Sequence, residues 1–577
     1  MRSTRATLFL LISLLFITQS NASTQKEIDK AFSYFQNRDE VYISFNVASL
    51  LDIDRFHSIV TIDKVECGRV YAYANKRQFN AFQNTGHPFI LEIPPGMAMS
   101  PPEMSDYDTP EKRLHIDRYP TYKGYLNLME SFENDYPELC KLHEIGSTVK
   151  NRKLLVLQVT DNIDEREAEP KFFHSSTIHG DETAGYMITL RMIDYLLSQY
   201  GRNARVSRIV DSTEIWFCPL MNPDGTYKGS NNTVFGSQRY NANGADLNRD
   251  YPAPPAFGTA DIADRAQVET EACKAFERRH NFVLSIDNHG GIEAAFYPWS
   301  IKSTKTVDDD WFRYVCREFA DEVHENSPSS HFTGAGGDGW GNWNQEMYYS
   351  KGTRPDWQYR FRHCREITVE LSSTKTLSES NFDNWWSYHR DPCLTFYERM
   401  FHGIRGLVTD SLTGEGLPAK VYIEDHDDDS SHVYADMPHG NYYRPIYSGT
   451  YDVTFSCKDY FEKTIEDVSV QNDEATILDV QLISKITGTV AETPAHTFTL
   501  TVLPHRGGVR INSNSRIYTA AIYTLSGALL YSFPESNNHQ LVWNGRSNNG
   551  IGVGSGCYIV KINSDNGTRA IPVFCRF

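Results

Sequence analysis

The sequence predicts an α/β catalytic domain, with a mixed, mostly parallel sheet flanked by helices. Two small β-sandwich domains follow it and a small α+β N-terminal unit precedes it. Three observations carry this. The 577 residues suit about four domains at roughly 150 residues each. Residues 111–402 alternate apolar strand-like runs with amphipathic helical stretches, the pattern of a parallel sheet with crossover helices. From Gly403 onward helical periodicity disappears, and short strands are separated by turn residues.

Composition narrows the function classes. Hydrophobic residues make up 40% and charged residues 23%, values of a folded chain rather than a disordered one. Against 56 basic residues stand 74 acidic ones, a formal charge of −18. That argues against a nucleic-acid or anionic-membrane binder, which needs a basic face.

The elements follow in order. Residues 1–22 read as a secretory signal peptide. Arg2 and Arg5 precede the apolar run Leu8–Ile17, broken only by Ser13, and Ser20-Asn21-Ala22 has the form of a cleavage site. The run is short for a membrane span, and the expectation is a secreted or cell-surface protein with no membrane span. All ten cysteines lie after this segment, and none is arranged as C-x-x-C. Nothing in their spacing fixes a pairing, and scattered thiols explain them equally well.

Residues 23–93 form the α+β unit, with strands at Val41–Val47, Ile59–Ile62 and Arg69–Tyr73 and a helix at Lys76–Phe82. Residues 94–110 are a stiff, proline-rich linker. Within 111–402, strands are expected at Lys171–Ile178, Thr213–Pro219, Asn281–Asp287 and Arg365–Leu371. Helices are expected at Thr183–Tyr200 and Asp264–His280. Residues 403–483 and 497–577 supply the two sandwiches, marked by turns such as Thr413-Gly414 and Asn548-Asn549-Gly550.

The chemistry gathers where these strands end. His179 and Glu182, in His179-Gly180-Asp181-Glu182, can present a nitrogen and a carboxylate on one side of a first helical turn. With 19 histidines in the chain, such a spacing alone is expected on the order of once by chance. It has company. His289 follows one strand, Glu370 ends another, and Asp246-Leu247-Asn248-Arg249 lies in a Gly/Asn-rich loop. Ligands of open α/β sheets bind at the carboxyl ends of the strands. Two His and one Glu leave a fourth zinc position for water, and a second carboxylate can serve as base.

At these residues the chain resembles the zinc metallocarboxypeptidases. The motifs are H-G-D-E-T (179–183), P-L-M-N-P-D-G (219–225), R-Y-N-A-N-G-A-D-L-N-R-D (239–250), N-H-G-G (288–291) and E-I-T-V-E-L-S (366–372). The likeness is greatest to the regulatory branch that includes carboxypeptidases N, E and D. It implies a secreted, zinc-dependent carboxypeptidase acting on the C-termini of peptides or proteins. His179, Glu182 and His289 would hold one Zn2+, and Glu370 would be the general base on a metal-activated water. Asn248 and Arg249 would grip the terminal carboxylate, and Arg239 would polarise the scissile carbonyl. Tyr348 would cap the substrate, and Asp246 would orient His179. Two other readings stand beside this one: a cell-wall peptidase or deacylase on the same scaffold, and a non-catalytic binding protein.

Residues 403–483 resemble the transthyretin-like domain that follows the catalytic domain in the same branch, with G-x-V-x-D-x-x-T-G-x-G-L-P-A visible at Gly406–Ala419. Residues 23–93 stand where zymogens of the wider family carry an activation segment; an accessory domain fits equally. The C-terminal unit resembles bacterial hook-capping modules and type IX secretion sorting domains, implying a bacterial, exported protein with secretion machinery as a partner. The chain departs from the branch at Ser300, where an acid that selects C-terminal Lys or Arg is usual. Lys351 and Arg354 bring two cations to the pocket segment, and Asp308-Asp309-Asp310 reads as a solvated helix start. Poor cleavage of C-terminal Lys and Arg is therefore expected, with neutral or acidic residues preferred.

Overall fold

A computed structural model describes residues 25–577 apart from 48–49, 254–265, 302–303, 348, 486–499, 506–507, 525–527, 536–537, 565–566 and 576–577. The signal-peptide segment and Tyr348 lie outside the described residues. The chain divides into two compact units. One runs as far as Leu482, and the other is built from Ile483–Phe577 with Ser411–Gly414.

The first unit begins with strands β1 (Val41–Asn46), β2 (Thr61–Glu66), β3 (Arg69–Ala74) and β4 (Ile90–Leu91), in the order β2-β3-β1-β4. β2 begins two residues later than its apolar run suggested, because Ile59 and Val60 close the turn of the preceding helix onto Phe56. The helix Lys76–Asn84 starts where Asn75 and Gln78 cap each other reciprocally. Its Phe82 ring lies 4.9 Å from Phe45 across the sheet, and Phe56 packs against both. The proline-rich stretch is more than a spacer: β5 (Met104–Ser105) pairs with β6 (Tyr119–Pro120).

The central sheet has eight strands. They are β7 (Cys140–Ser147), β8 (Lys153–Val159), β9 (Lys171–Ser176), β10 (Glu214–Cys218), β11 (Phe282–His289), β12 (Glu293–Tyr297), β13 (Trp340–Asn342) and β14 (Arg365–Leu371). Their order is β13-β12-β14-β11-β9-β10-β8-β7. β14, β11, β9 and β10 are mutually parallel, while β12 against β14, β8 against β10 and β7 against β8 are antiparallel. Every residue of β9, β11 and β14 is buried, as parallel strands covered on both faces must be. The helix Ala184–Gln199 lies on this sheet, burying Met187, Leu190, Ile193 and Leu197.

A β-domain follows, with β15 (Gly403–Asp410), β16 (Lys420–Ile423), β17 (Val433–Tyr434), β18 (Asn441–Arg444), β19 (Gly449–Ser456), β20 (Lys463–Val470), β21 (Ala475–Ile477) and β22 (Val480–Leu482). One layer is β18-β15-β21 with β22; the other is β17-β16-β19-β20. Ile404, Val421, Val453 and Phe455 fill the space between. The second unit comprises β23 (Leu500–His505), β24 (Gly508–Thr524), β25 (Leu529–Ser532), β26 (Asn538–Trp543), β27 (Gly556–Ser564) and β28 (Gly567–Cys575). These strands form one connected sheet rather than two, because the 17-residue β24 pairs with β26 through its first half and β27 through its second.

Asp308 corrects the sequence reading. It is buried, and its carboxylate accepts from Arg365 at 2.8 Å, Arg444 at 2.9 Å and Tyr359 at 2.9 Å. Arg444 lies on β18, so this acid joins the sheet domain to the β-domain. Burial works against its ionisation, but the two guanidinium groups outweigh it and hold the carboxyl below its ordinary range. Only Asp310 of the triplet is exposed; Asp309 accepts from Tyr297 and pairs with Lys305. Asp308→Ala leaves two buried cations short of their counter-charge and is expected to cost about 3–5 kcal/mol. Asp310→Ala should change stability by no more than about 0.5 kcal/mol. Urea unfolding of the two variants checks the contrast, and equal midpoints contradict it.

Candidate metal centre and active site

The parallel strands deliver the site. His179 and Glu182 lie between β9 and the helix Ala184–Gln199. His289 is the last residue of β11 and stands opposite Glu370 of β14 in the parallel register. The loop carrying His179 is pinned from below. The Asn222 side chain donates to Ile178 O and Arg239 O. A Cβ at Gly180 would come within 2.4 Å of the Gly225 backbone, so that crossing admits only glycine.

His179, Glu182 and His289 are all buried, and their ligand atoms lie within 4.8 Å of one another. Glu182 Oε2 sits 3.0 Å from His179 Nδ1 and 2.8 Å from His289 Nδ1. The opposite ring nitrogens meet carboxylates: His179 Nε2 is 3.1 Å from Asp246 Oδ1, and His289 Nε2 is 3.1 Å from Asp287 Oδ2. Each acid favours the tautomer with its proton on Nε2, leaving the Nδ1 lone pairs aimed at the shared point. His179 Nδ1 makes no hydrogen bond among the described residues. Two neutral imidazole nitrogens and one carboxylate oxygen are the donor set of a catalytic zinc site.

Glu182 uses its other oxygen differently. Oε1 accepts from Lys375 Nζ at 2.7 Å and faces Arg239 Nη1 at 3.3 Å. Arg239 also donates through Nε to Asp246 Oδ2 at 3.0 Å. Glu370 is buried with Oε2 lacking a hydrogen bond among the described residues. Burial, with the Glu182 charge second, pushes its carboxyl up to about 7; a dication at the ligand cluster would draw it back down.

The predicted substrate residues are brought to one cavity of about 660 Å³, lined by Asn248, Arg249, Arg239, Ser300 and Glu370 beside the ligands. Asn248 Oδ1 accepts from the Arg354 backbone, and Arg249 donates to Asn248 O and Ser350 Oγ. The expected cations of the pocket are not there. Arg354 is fully buried between Glu277 and Glu366, with its guanidinium 5.0 Å from the Phe173 ring. Lys351 lines a neighbouring cavity of about 770 Å³. Ser300 is held from behind, Asp356 accepting the N–H groups of Ser300 and Ile301.

Three residues escaped the sequence reading. Asp287 had a signal: two positions before His289 on a strand puts it on the same face. Lys375 and Asp63 had none. Asp63 comes from β2 of the N-terminal unit and lies 2.8 Å from Lys375 Nζ and 4.0 Å from Arg239 Nη1. The same unit buries Tyr73 against Asp181 at 2.6 Å and Glu40 against the Arg239 and Tyr240 amides.

Comparison with known proteins agrees with this geometry. The sequence profile described as "Zinc carboxypeptidase" matches residues 125–391. The mouse (Mus musculus) carboxypeptidase M is 30% identical over 356 residues, covering 58% of this chain and 77% of the relative. The chain belongs to the zinc carboxypeptidase family. Human (Homo sapiens) carboxypeptidase D is 29% identical over 396 residues, 65% of this chain and 27% of its own length. The Rattus norvegicus carboxypeptidase N catalytic chain is 29% identical over 401 residues, covering 63% of this chain and 86% of the relative. The chain thus spans under a third of the length of the carboxypeptidase D relatives. The family is zinc-dependent, and the buried His179–Glu182–His289 cluster fits that ion.

Removing the acid behind a ligand tests the tautomer argument. Asp287→Ala is expected to weaken zinc binding by roughly 10–100-fold, measured by competition with a chromogenic chelator. Glu182→Ala and His289→Ala should weaken it further, because each removes a candidate ligand. An Asp287→Ala protein that holds zinc as tightly as the parent contradicts the assignment.

Proposed function

We propose that the protein is an exported zinc carboxypeptidase that hydrolyses the C-terminal bond of peptides or proteins. The observation that carries this is one cavity bordered by the zinc-type donor set, by Glu370 across from His289, and by Asn248 and Arg249. Bound zinc supplies a Lewis acid and lowers the pKa of a coordinated water.

The chain's own residues do the rest. Asn248 and Arg249 take the terminal carboxylate, an anion suited to amide and guanidinium donors. Glu370 receives the proton of the attacking water and returns it to the leaving amine. Its burial beside Glu182 raises its carboxyl and the dication opposes that rise, a balance suited to a group that takes up and gives back a proton. Arg239 stabilises the developing oxyanion, and Asp246 holds His179 in register. The carboxylate grip favours a carboxypeptidase over a deacylase, which has no terminal carboxylate to bind. Asp63 and the residues up to Gly68 line the same cavity, which supports reading the N-terminal unit as a segment that restricts access.

The wall formed by Ser300, Thr353, Pro355 and Thr368 is uncharged, and Arg354 faces its own acids in the core. The acidic preference loses its support, while the expectation against Lys and Arg stands. Peptides ending in Leu should be cleaved faster than peptides ending in Lys by the parent, with Ser300→Asp narrowing the gap. A parent that prefers Lys by a wide margin points instead to Asp356 behind Ser300.

Glu370→Gln keeps shape but cannot accept a proton. It should retain zinc and lower turnover by about 10²-fold or more, with a chelator abolishing the parent's activity. Near-normal release of the terminal residue by Glu370→Gln removes this base from the reaction.

A further inference from the structure

Lys375 is buried on the cavity wall, and its ammonium has three N–H donors. Two go to acceptors of the sheet domain: Glu182 Oε1 at 2.7 Å and Gly290 O at 3.2 Å. The third acceptor, Asp63 Oδ1 at 2.8 Å, belongs to the N-terminal unit. The second oxygen of Asp63 accepts from Tyr42 OH at 2.8 Å, so the carboxylate is held by its own unit and presented to the cation. Arg239 stands 4.0 Å from the oxygen that Lys375 takes. A carboxylate carried on a hairpin thus enters the reaction cavity and meets two cations there.

We propose that Lys375, backed by Arg239, is a subsite for an acidic side chain of the substrate, and that Asp63 occupies it as an internal surrogate. The inference rests on the carboxypeptidase reading above. With the terminal residue at Asn248, Arg249 and Ser300, the chain upstream of the scissile bond passes the remaining wall, where Lys375, Gly291 and the β2–β3 hairpin lie. An incoming Asp or Glu replaces Asp63 like for like. Once the entering chain has displaced Asp63, a neutral side chain leaves the third N–H of a buried ammonium without its carboxylate, and a cationic one opposes it. The subsite therefore selects acidic residues on the amino side of the bond.

The test uses full-length, zinc-loaded protein and peptides ending in Leu, with Glu, Gln or Lys at each of the three preceding positions. Leu release gives kcat/KM, and the Glu:Gln ratio within one variant is independent of how much active enzyme it contains. At one position the ratio should reach about ten-fold or more in the parent, and rise in Asp63→Asn, as suits a charge-assisted hydrogen bond. Lys375→Met should bring it near one, and Lys375→Arg should keep it. Zinc content, measured alongside, reports the effect of losing Lys375 beside Glu182. A ratio near one at every position in both the parent and Asp63→Asn overturns the proposal, as does a ratio that survives Lys375→Met. If no peptide loses Leu, the carboxypeptidase reading fails. Calorimetric binding of the same peptides then still decides the subsite: Glu must bind Asp63→Asn more tightly than Gln does, and Lys375→Met must abolish the difference.

Discussion

Glu182 must be ionised at a deeply buried position, and the surroundings of the site are organised around that requirement. Transferring a lone carboxylate into such a site is prohibitive. The two oxygens divide the problem: Oε2 faces the two imidazoles, and Oε1 rests on Lys375 and Arg239. Burial opposes the charge, and the Lys375 ammonium on Oε1 is among the groups that outweigh it, leaving the Glu182 carboxyl well below its ordinary range. The cations need acids in turn, which Asp246 and Asp63 supply. The site is a closed alternation of charge in which each member fixes its neighbours, so loss of one leaves another buried and unpaired.

The sheet makes the alternation reachable. Parallel β11 and β14 bring His289 and Glu370 into register at their carboxyl ends, and β9 hands the chain to His179 one strand away. Asp287 reaches His289 because alternate residues of a strand share a face. Ser175 of β9 donates to the other Asp287 oxygen at 2.8 Å, so this acid is itself held. Two positions that look like ordinary core in β9 and β11 therefore orient His289, a candidate ligand, which is why polar Ser175 and Asp287 are tolerated in the most buried strands.

What was legible in the sequence was what local pattern dictates. The strands at 171, 214, 282 and 365 and the helix from 184 follow from apolar runs and helical periodicity. The candidate ligands follow from polar residues placed at strand ends. What was not legible depends on which distant charge a side chain finds. Arg354 looked like a pocket cation because it lies near the pocket in sequence, but Glu277 and Glu366 hold it in the core from distant helix and strand positions. Asp308 looked solvated because Asp309 and Asp310 follow it, but Arg365 and Arg444 approach from two other strands. Asp63 is unremarkable in β2, and only tertiary contact makes it part of the site.

The misread charges share a cause. A cation near a pocket in sequence says little about the pocket, because burial demands a counter-charge and the nearest acid in space decides where the side chain goes. Arg354 is committed to Glu277 and Glu366, and its direct tie to the loop of Asn248 is its amide, which holds the Asn248 oxygen at 2.8 Å. That bond turns the Asn248 amide nitrogen toward His289, 3.5 Å from its Nε2. A residue that sequence proximity marks as a specificity determinant thus holds Asn248 through its backbone, while its charge is paired in the core beneath. Lys375 does line the cavity, with Arg239 and Arg249, and it meets Asp63 of the N-terminal unit there.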